Sequence, residues 1–281
     1  MPIALLTDFG TADSYVAVMK GVISTIAPQV PLIDLTHDIP AFDRVQAAVV
    51  LYQAYRYFPK GTIFVAVVDP GVGSERKAIL VKTQDYYFVG PDNGLFTLVL
   101  AEQKIEKIIH LTNSKYFISP HPDPLPTGER GVGGTFQGRD IFAPVAAHLS
   151  QGVLIEDFGL PILDYQKLED LFPEIKNKEI IGQVISIDRF GNAITNFAKD
   201  FLIQYFPSLQ FSVKVGKKIW SEFKTHYAEG LKKKPFLIFG SSSFLEISLN
   251  QGSAVRLLKI KRGDTVSISL KSGVSSRGHG Q

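Results

Sequence analysis

The apolar run at residues 62–68 constrains the fold most. Thr62-Ile63-Phe64-Val65-Ala66-Val67-Val68 holds no charge and no polar alternation, so it reads as a strand buried on both faces. Such a strand needs a sheet covered by helices on each side. The run ends in Asp69-Pro70-Gly71-Val72-Gly73-Ser74-Glu75-Arg76. In open α/β sheets ligands bind beyond the carboxyl ends of strands, which is where Asp69 stands. Proline and the two glycines allow a tight loop that carries Arg76 back toward Asp69. In isolation the same loop also reads as a surface turn with a solvated ion pair.

The flanking sequence supplies the covering helices. Residues 2–6 form a short apolar strand ending at Thr7-Asp8-Phe9-Gly10, with an acid placed as Asp69 is. Tyr15, Val18, Met19, Val22, Ile23 and Ile26 then recur at helical spacing before Pro28. A strand at 32–35, a helix from Asp43 and the run at 62–68 follow. This alternation predicts an α/β domain, a central sheet flanked by helices. Strands at 78–83 and 86–89, a short helix opened by Gly90-Pro91-Asp92-Asn93-Gly94, a strand at 107–111 and a helix over 141–149 complete it. The proline- and glycine-rich insert 119–134 reads as a surface loop.

Residues 150–178 lack a regular period, and the charge balance changes there. Residues 1–170 hold 13 Lys+Arg against 19 Asp+Glu, while 171–281 hold 17 against 8, giving −6 and +9 and the net +3. We place the N-terminal domain at 1–165, a linker at 166–178, and a smaller all-β barrel domain at 179–271. A disordered tail is expected at 272–281. The short segments 180–187, 193–196, 209–215, 235–239, 244–249 and 265–270, separated by Gly and Asn turns, suit the barrel.

Composition excludes several chemistries. There is no Cys, hence no disulfide, thiolate nucleophile or Cys-ligated metal, and a reducing, cytoplasmic compartment is expected. No apolar run approaches a membrane span, and Met1 to Leu6 is too short for a signal-peptide core. Lys232-Lys233-Lys234 has no aromatic series beside it, so no nucleic-acid partner is expected. His37 and His121 with loop acids could bind a metal, but no close ligand cluster supports it and none is expected. The sequence also lacks a P-loop lysine and a G-x-S-x-G element.

Four acids ask for a joint reading: Asp8, Asp69, Asp140 and Asp188. A carboxylate at a strand end can hold both hydroxyls of a ribose or face an ammonium group. Asp188-Arg189-Phe190-Gly191-Asn192 combines an acid, an aromatic face and an amide suited to the edge of adenine, or it is simply a hairpin turn. Gly240-Ser241-Ser242-Ser243 could bind a carboxylate through hydroxyls and turn amides, or cap a turn.

Six separated blocks then carry a resemblance: residues 7–10, 69–74 with Arg76, 90–94, 136–144, 190–192 and 240–254. In order and content they are similar to the S-adenosyl-L-methionine (SAM) hydroxide adenosyltransferases, relatives of the fluorinase and chlorinase enzymes. The resemblance spans about residues 3–270. It implies hydrolysis of SAM to adenosine and L-methionine with no cofactor, in a homotrimer whose sites lie between the N-domain of one subunit and the C-domain of the next. It implies that Asp8 holds the ribose diol, that Asn192 reads adenine with Phe190 beside it, and that Ser241, Glu246 and Leu249 line the adenosine pocket. Asp188, Ser242 and Ser243 would hold the amine and carboxylate of methionine. Asp69 and Arg76 would handle the attacking water with a third residue at position 137, where many relatives have His and this chain has Gln137. Glutamine takes no proton near neutral pH, so a non-catalytic SAM- or adenosine-binding protein is one alternative. A halide-dependent adenosyl transferase is another.

Overall fold

The structure, a computed structural model, describes residues 1–118, 135–177 and 179–269. The insert 119–134, His121 within it, and the tail 272–281 lie outside the described residues. The chain divides into two compact units, Met1–Leu168 and Glu169–Gln281.

In the first unit the elements are β1 (Ile3–Thr7), α1 (Tyr15–Ile26), β2 (Leu32–Thr36), α2 (Arg44–Ala54), β3 (Ile63–Val67), β4 (Ala78–Thr83), β5 (Tyr87–Pro91), α3 (Thr97–Glu102), β6 (Ile105–Leu111), α4 (Ala143–Ser150) and β7 (Gly159–Ile162). They build a seven-stranded sheet in the order β2-β1-β3-β5-β4-β6-β7. The first four strands in that order pair in parallel, and the remaining pairings are antiparallel. All five residues of β1 and of β3 are buried, as the uniform apolar runs require. Ile3 and Leu5 of β1 pack with Met19 and Ile23 of α1 and with Val145 and Leu149 of α4. Helix α2 packs against β1, and α3 packs against α2. Asp43 caps α2 by accepting from Gln46 N at 2.9 Å.

The path of the chain decides where a ligand would sit. From β1 it crosses through α1 to β2 on one side, then returns through α2 to β3 on the other. The gap beyond the carboxyl ends of β1 and β3 is therefore the topological switch point. Thr7 pairs with Val67, so Asp8 and Asp69 follow the ends of these neighbouring strands.

Two local expectations are corrected here. Residues 150–165 are not all irregular: β7 pairs antiparallel with β6 at the sheet edge, with Pro161 opposite Ile109. Proline cannot donate to a ladder and is tolerated on an edge, where a proline-based reading sees only a break. The helix expected over 141–149 begins earlier, in a π-helical turn over Gly138–Phe142 that runs into α4.

The second unit contains β8 (Glu174–Lys176), β9 (Glu179–Ile187), β10 (Ala193–Ala198), α5 (Lys199–Tyr205), β11 (Val213–Val215), β12 (Lys218–Trp220), β13 (Phe236–Phe239), β14 (Phe244–Ser248), α6 (Ala254–Leu258) and β15 (Thr265–Ser269). Its strands run β12-β11-β15-β9-β10-β14-β13, with β8 added on β9. The chain just after β12 then bonds to β13 at the other edge: Leu237 N donates to Glu222 O at 2.8 Å and Lys224 N to Leu237 O at 2.9 Å. This nearly closes the sheet into a barrel, filled by Ile180, Val184, Phe197, Leu245, Ile247 and Ile268 among others. The two short helices and the three-residue β12 are additions to the expected all-β pattern; segments this short leave little periodicity to read.

Candidate functional site

At the switch point the loop after β3 folds back on itself. Ser74 Oγ donates to Gly71 O at 2.7 Å, Gly71 N donates to Asp69 Oδ1 at 3.2 Å, and the turn brings Arg76 to Asp69. Arg76 Nε donates to Asp69 Oδ1 at 2.9 Å, and Nη2 pairs with Oδ2, so the fork and the carboxylate meet on two bonds. The side chains are 5% and 10% exposed for Asp69 and Arg76, which makes this a buried ion pair and not a solvated turn. The guanidinium carbon also lies 5.8 Å from the Phe142 ring centroid.

Gln137 completes the cluster from a distant part of the chain. It is the residue before the π-helical turn, it is 8% exposed, and its Oε1 accepts from Arg76 Nη2 at 2.5 Å. Position 137 thus meets the Asp69–Arg76 pair directly, and its carbonyl is spent on the guanidinium. A polar cavity of about 360 Å³ adjoins the same arginine, lined by Glu75, Lys77, Asp92 and Asp164 with Tyr165 and Gln166. Burial raises the Asp92 carboxyl above its ordinary range, although it accepts from Gln166 N at 2.8 Å.

Asp8 stands at the other lip of the switch point. Its Oδ2 accepts from Phe42 N at 2.8 Å. Next to it Phe9 lies 5.5 Å from Phe136, and Tyr15 lies 5.0 Å from Phe136, ring centroid to centroid. These rings pack the loop after β1 against the residue preceding Gln137. Asp140, the third of the four acids, is held by its neighbour, with Arg139 Nε at 2.6 Å from Oδ1 and Nη2 at 3.1 Å from Oδ2. His37, weighed as a metal ligand, is buried with Nδ1 2.9 Å from Thr7 Oγ1 and Nε2 3.1 Å from Asp34 Oδ1.

In the second unit the Asp188 turn closes on itself. Asn192 Nδ2 donates to Asp188 Oδ2, and Asn192 N to Oδ1, both at 2.8 Å. Phe190 at the tip of this turn is 78% exposed. Ala193 pairs with Ile247, which sets the turn near the carboxyl end of β14. Ser241, Ser242 and Ser243 lie in the turn before the other end of β14, where Ser243 O accepts from Lys199 N at 2.8 Å. Glu246, between those ends, is 5% exposed and accepts from Tyr227 OH at 2.9 Å. Gly240 lies so close that a Cβ there would collide with Glu246 Oε1. Leu249, one residue past β14, is half-buried.

Burial first, and the nearby Asp188 charge second, raise the Glu246 carboxyl above its ordinary value. The ionised form is therefore the disfavoured one in the folded chain. Its cost appears as pH rises past the unfolded pKa, roughly 4.3, and is complete above the folded one. Glu246→Gln keeps an acceptor for Tyr227 and is expected to raise the melting temperature at pH 7 by roughly 2–4 °C. The gain should vanish near pH 4. Thermal unfolding at the two pH values checks it.

Two family models match: the SAM hydroxide adenosyltransferase N-terminal domain over residues 3–159 and the SAM hydroxide adenosyltransferase C-terminal domain over residues 182–267. The chain belongs to the SAM hydroxide adenosyltransferase family. Among similar proteins in that family is the (R)-S-adenosyl-L-methionine hydrolase of Thermus thermophilus, 36% identical over 93% of this chain and 97% of the relative. The enzyme of the same name from Methanocaldococcus jannaschii is 37% identical over 95% of each. The fluorinase of Actinoplanes sp. is a more distant relative, 24% identical over 95% of this chain and 97% of its own. A solved structure from Thermotoga maritima, titled an uncharacterized conserved protein, matches with a TM-score of 0.83 and 38% identity over 95% of this chain and 99% of that one.

Three residues of the site carry no signal in the composition of their segments. Phe42 supplies the amide that holds Asp8, Phe142 lies beneath the guanidinium, and the Asn93 side chain bonds to the backbone next to Asp69. Asn93 and Phe142 stand in two of the blocks that carry the resemblance, 90–94 and 136–144, but without a role of their own, and Phe42 stands in none.

Proposed function

We propose that this protein hydrolyses SAM to adenosine and L-methionine by attack of water at the ribose 5′ carbon. The observation that carries the proposal is the buried Asp69–Arg76–Gln137 cluster at the sheet's switch point, in a chain 33–37% identical to four (R)-SAM hydrolases. The names of those relatives specify the R configuration at sulfur, and the R epimer is the substrate to offer alongside the S epimer.

The chemistry asks little of acid catalysis. The water oxygen forms a bond to C5′ as the C5′–S bond breaks, the electron pair leaves on sulfur as the neutral thioether of methionine, and one water proton is released. A sulfonium needs no protonation to leave, so the work is alignment and partial desolvation of the water. Arg76 stabilises developing hydroxide character, and Asp69 holds the guanidinium and accepts from the water. Gln137 accepts from Nη2, the nitrogen that also pairs with Asp69 Oδ2, and takes no proton. No cofactor or metal enters these steps. Asp8 takes the ribose diol. Asn192, with Phe190 beside it, takes the adenine edge; Ser241, Glu246 and Leu249 line the adenosine pocket; and Asp188, Ser242 and Ser243 take the methionine end. The proposal includes a homotrimer with sites at subunit interfaces, supported by the opposite charge of residues 1–170 and 171–281. It places the enzyme in the cytoplasm, in keeping with a chain free of Cys. Among the described residues no helix is long and apolar enough to cross a membrane.

Incubation of purified protein with each SAM epimer, with adenosine followed by chromatography, tests the proposal. Adenosine without added halide is the expected product. A halogenated adenosine that appears only with halide would point to the fluorinase reaction, and tight binding without product to a sensor. Gln137→Leu removes one hydrogen bond to a charged group, a loss of about 1.5–3 kcal/mol. It is expected to lower kcat roughly 10- to 100-fold with KM little changed, measured by initial rates.

A further inference from the structure

We propose that Asn93 is a positioning residue for this hydrolysis, holding the backbone from which Asp69 projects. The kinetic side of the proposal rests on the SAM-hydrolysis reading; the structural side does not. The sheet stops short of the point where Asp69 needs support. The ladder between β1 and β3 ends at Thr7 and Val67, and that between β3 and β5 at Val65 and Val89. Val68 lies beyond both registers and is fully buried. A buried carbonyl without a partner is costly, so the Val68 carbonyl must be satisfied from outside the sheet.

Asn93 does this. Its Nδ2 donates to Val68 O at 2.9 Å, and its Oδ1 accepts from Leu95 N at 3.2 Å. Both ends of the amide are engaged, so its orientation is fixed by its partners. The backbone of Asn93 is held in turn, because its carbonyl accepts from Arg44 Nη1, on α2, at 2.7 Å. The approach of this turn to β3 is equally constrained: a Cβ on Gly90 would collide with the carbonyl of Ala66. The support therefore runs from α2 through Arg44 and Asn93 to Val68, one peptide from Asp69. From there the Asp69 carboxylate fixes Arg76, and Arg76 reaches Gln137.

Asparagine meets a double requirement at this position. The position needs a donor and an acceptor at one short reach. Aspartate keeps the acceptor for Leu95 N but sets an oxygen against the Val68 carbonyl, and alanine keeps neither. In-line attack tolerates little misplacement, since about 1 Å can cost on the order of a hundredfold.

The test compares wild type with Asn93→Asp and Asn93→Ala in two measurements. In the first, kcat per folded molecule is expected to fall roughly 10- to 100-fold with KM for SAM within about threefold. An unchanged kcat beside a lowered melting temperature would overturn the proposal and leave Asn93 a merely structural residue. In the second, crystal structures of the variants are expected to show Val68–Asp69 displaced and the Asp69–Arg76 bonds altered; superposition on the wild type would overturn it. If the wild type forms no adenosine, the hydrolase reading fails and the crystallographic comparison still decides the role of Asn93. If neither variant folds, Arg44→Met keeps Asn93 and loosens its anchor. A lower kcat at unchanged KM then supports the proposal, and an unchanged kcat overturns it.

Discussion

Arg76→Leu is expected to lower SAM hydrolysis by about 10²- to 10³-fold and to destabilise the protein by about 3–5 kcal/mol. Both effects have one origin. The Asp69 and Arg76 side chains are 5% and 10% exposed, so removing the guanidinium leaves a carboxylate in a site that water reaches poorly. Breaking a buried pair from one side is far costlier than replacing the whole pair. Asp69→Asn combined with Arg76→Leu should therefore recover most of the lost stability while remaining inactive. Arg76→Lys separates charge from shape: an ammonium keeps the charge but cannot make the two parallel bonds to Asp69 and also reach Gln137. It is expected to keep most of the stability and little of the activity. Chemical denaturation and adenosine formation, measured on the same preparations, read the two effects separately.

Asp8→Ala is expected to raise KM for SAM about a hundredfold, with a smaller change in kcat. A carboxylate that accepts from both ribose hydroxyls makes two charge-assisted bonds, each worth about 1.5–3 kcal/mol, and about 3 kcal/mol in total corresponds to that factor. The structure supplies a control. One Asp8 oxygen accepts from Phe42 N at 2.8 Å, so alanine also releases the loop that carries Phe42. Asp8→Asn keeps an acceptor for that amide and removes the charge, and about a tenfold rise in KM is expected for it. A SAM analogue lacking the 2′-hydroxyl should lose less affinity on Asp8→Ala than SAM does, because half of the contact is already gone. Equal losses for the two substrates would mean that Asp8 does not touch the diol.

The parts of this molecule legible in the sequence are those whose cause is local. Residues 63–68 had to be a covered strand because every side chain in the run is apolar. Arg76 could return to Asp69 because only six residues, a proline and two glycines among them, lie between the two. The parts that were not legible depend on distant packing. Gln137 meets Arg76 across 61 positions, and Asn93 meets Val68 across 25, so no spacing rule could join them. For Gln137 the family resemblance pointed to the cluster. Asn93 lay in the block 90–94 that carries the resemblance, but nothing in that block tied its side chain to Val68. The edge strand β7 was hidden by Pro161, since a residue that breaks a central strand is harmless at an edge. In the second unit, closure of the barrel rests on bonds from Glu222 and Lys224 to Leu237, in a stretch without strand periodicity.

The central claim is that water attacks the ribose 5′ carbon at the Asp69–Arg76–Gln137 cluster. Turnover of SAM in 18O-labelled water, followed by mass spectrometry of both products, tests it most directly. One label is expected in adenosine, at the 5′-hydroxyl, with none in methionine and loss of that labelled product in Arg76→Leu. Label in methionine, or labelled adenosine formed at an unchanged rate by Arg76→Leu, would contradict it.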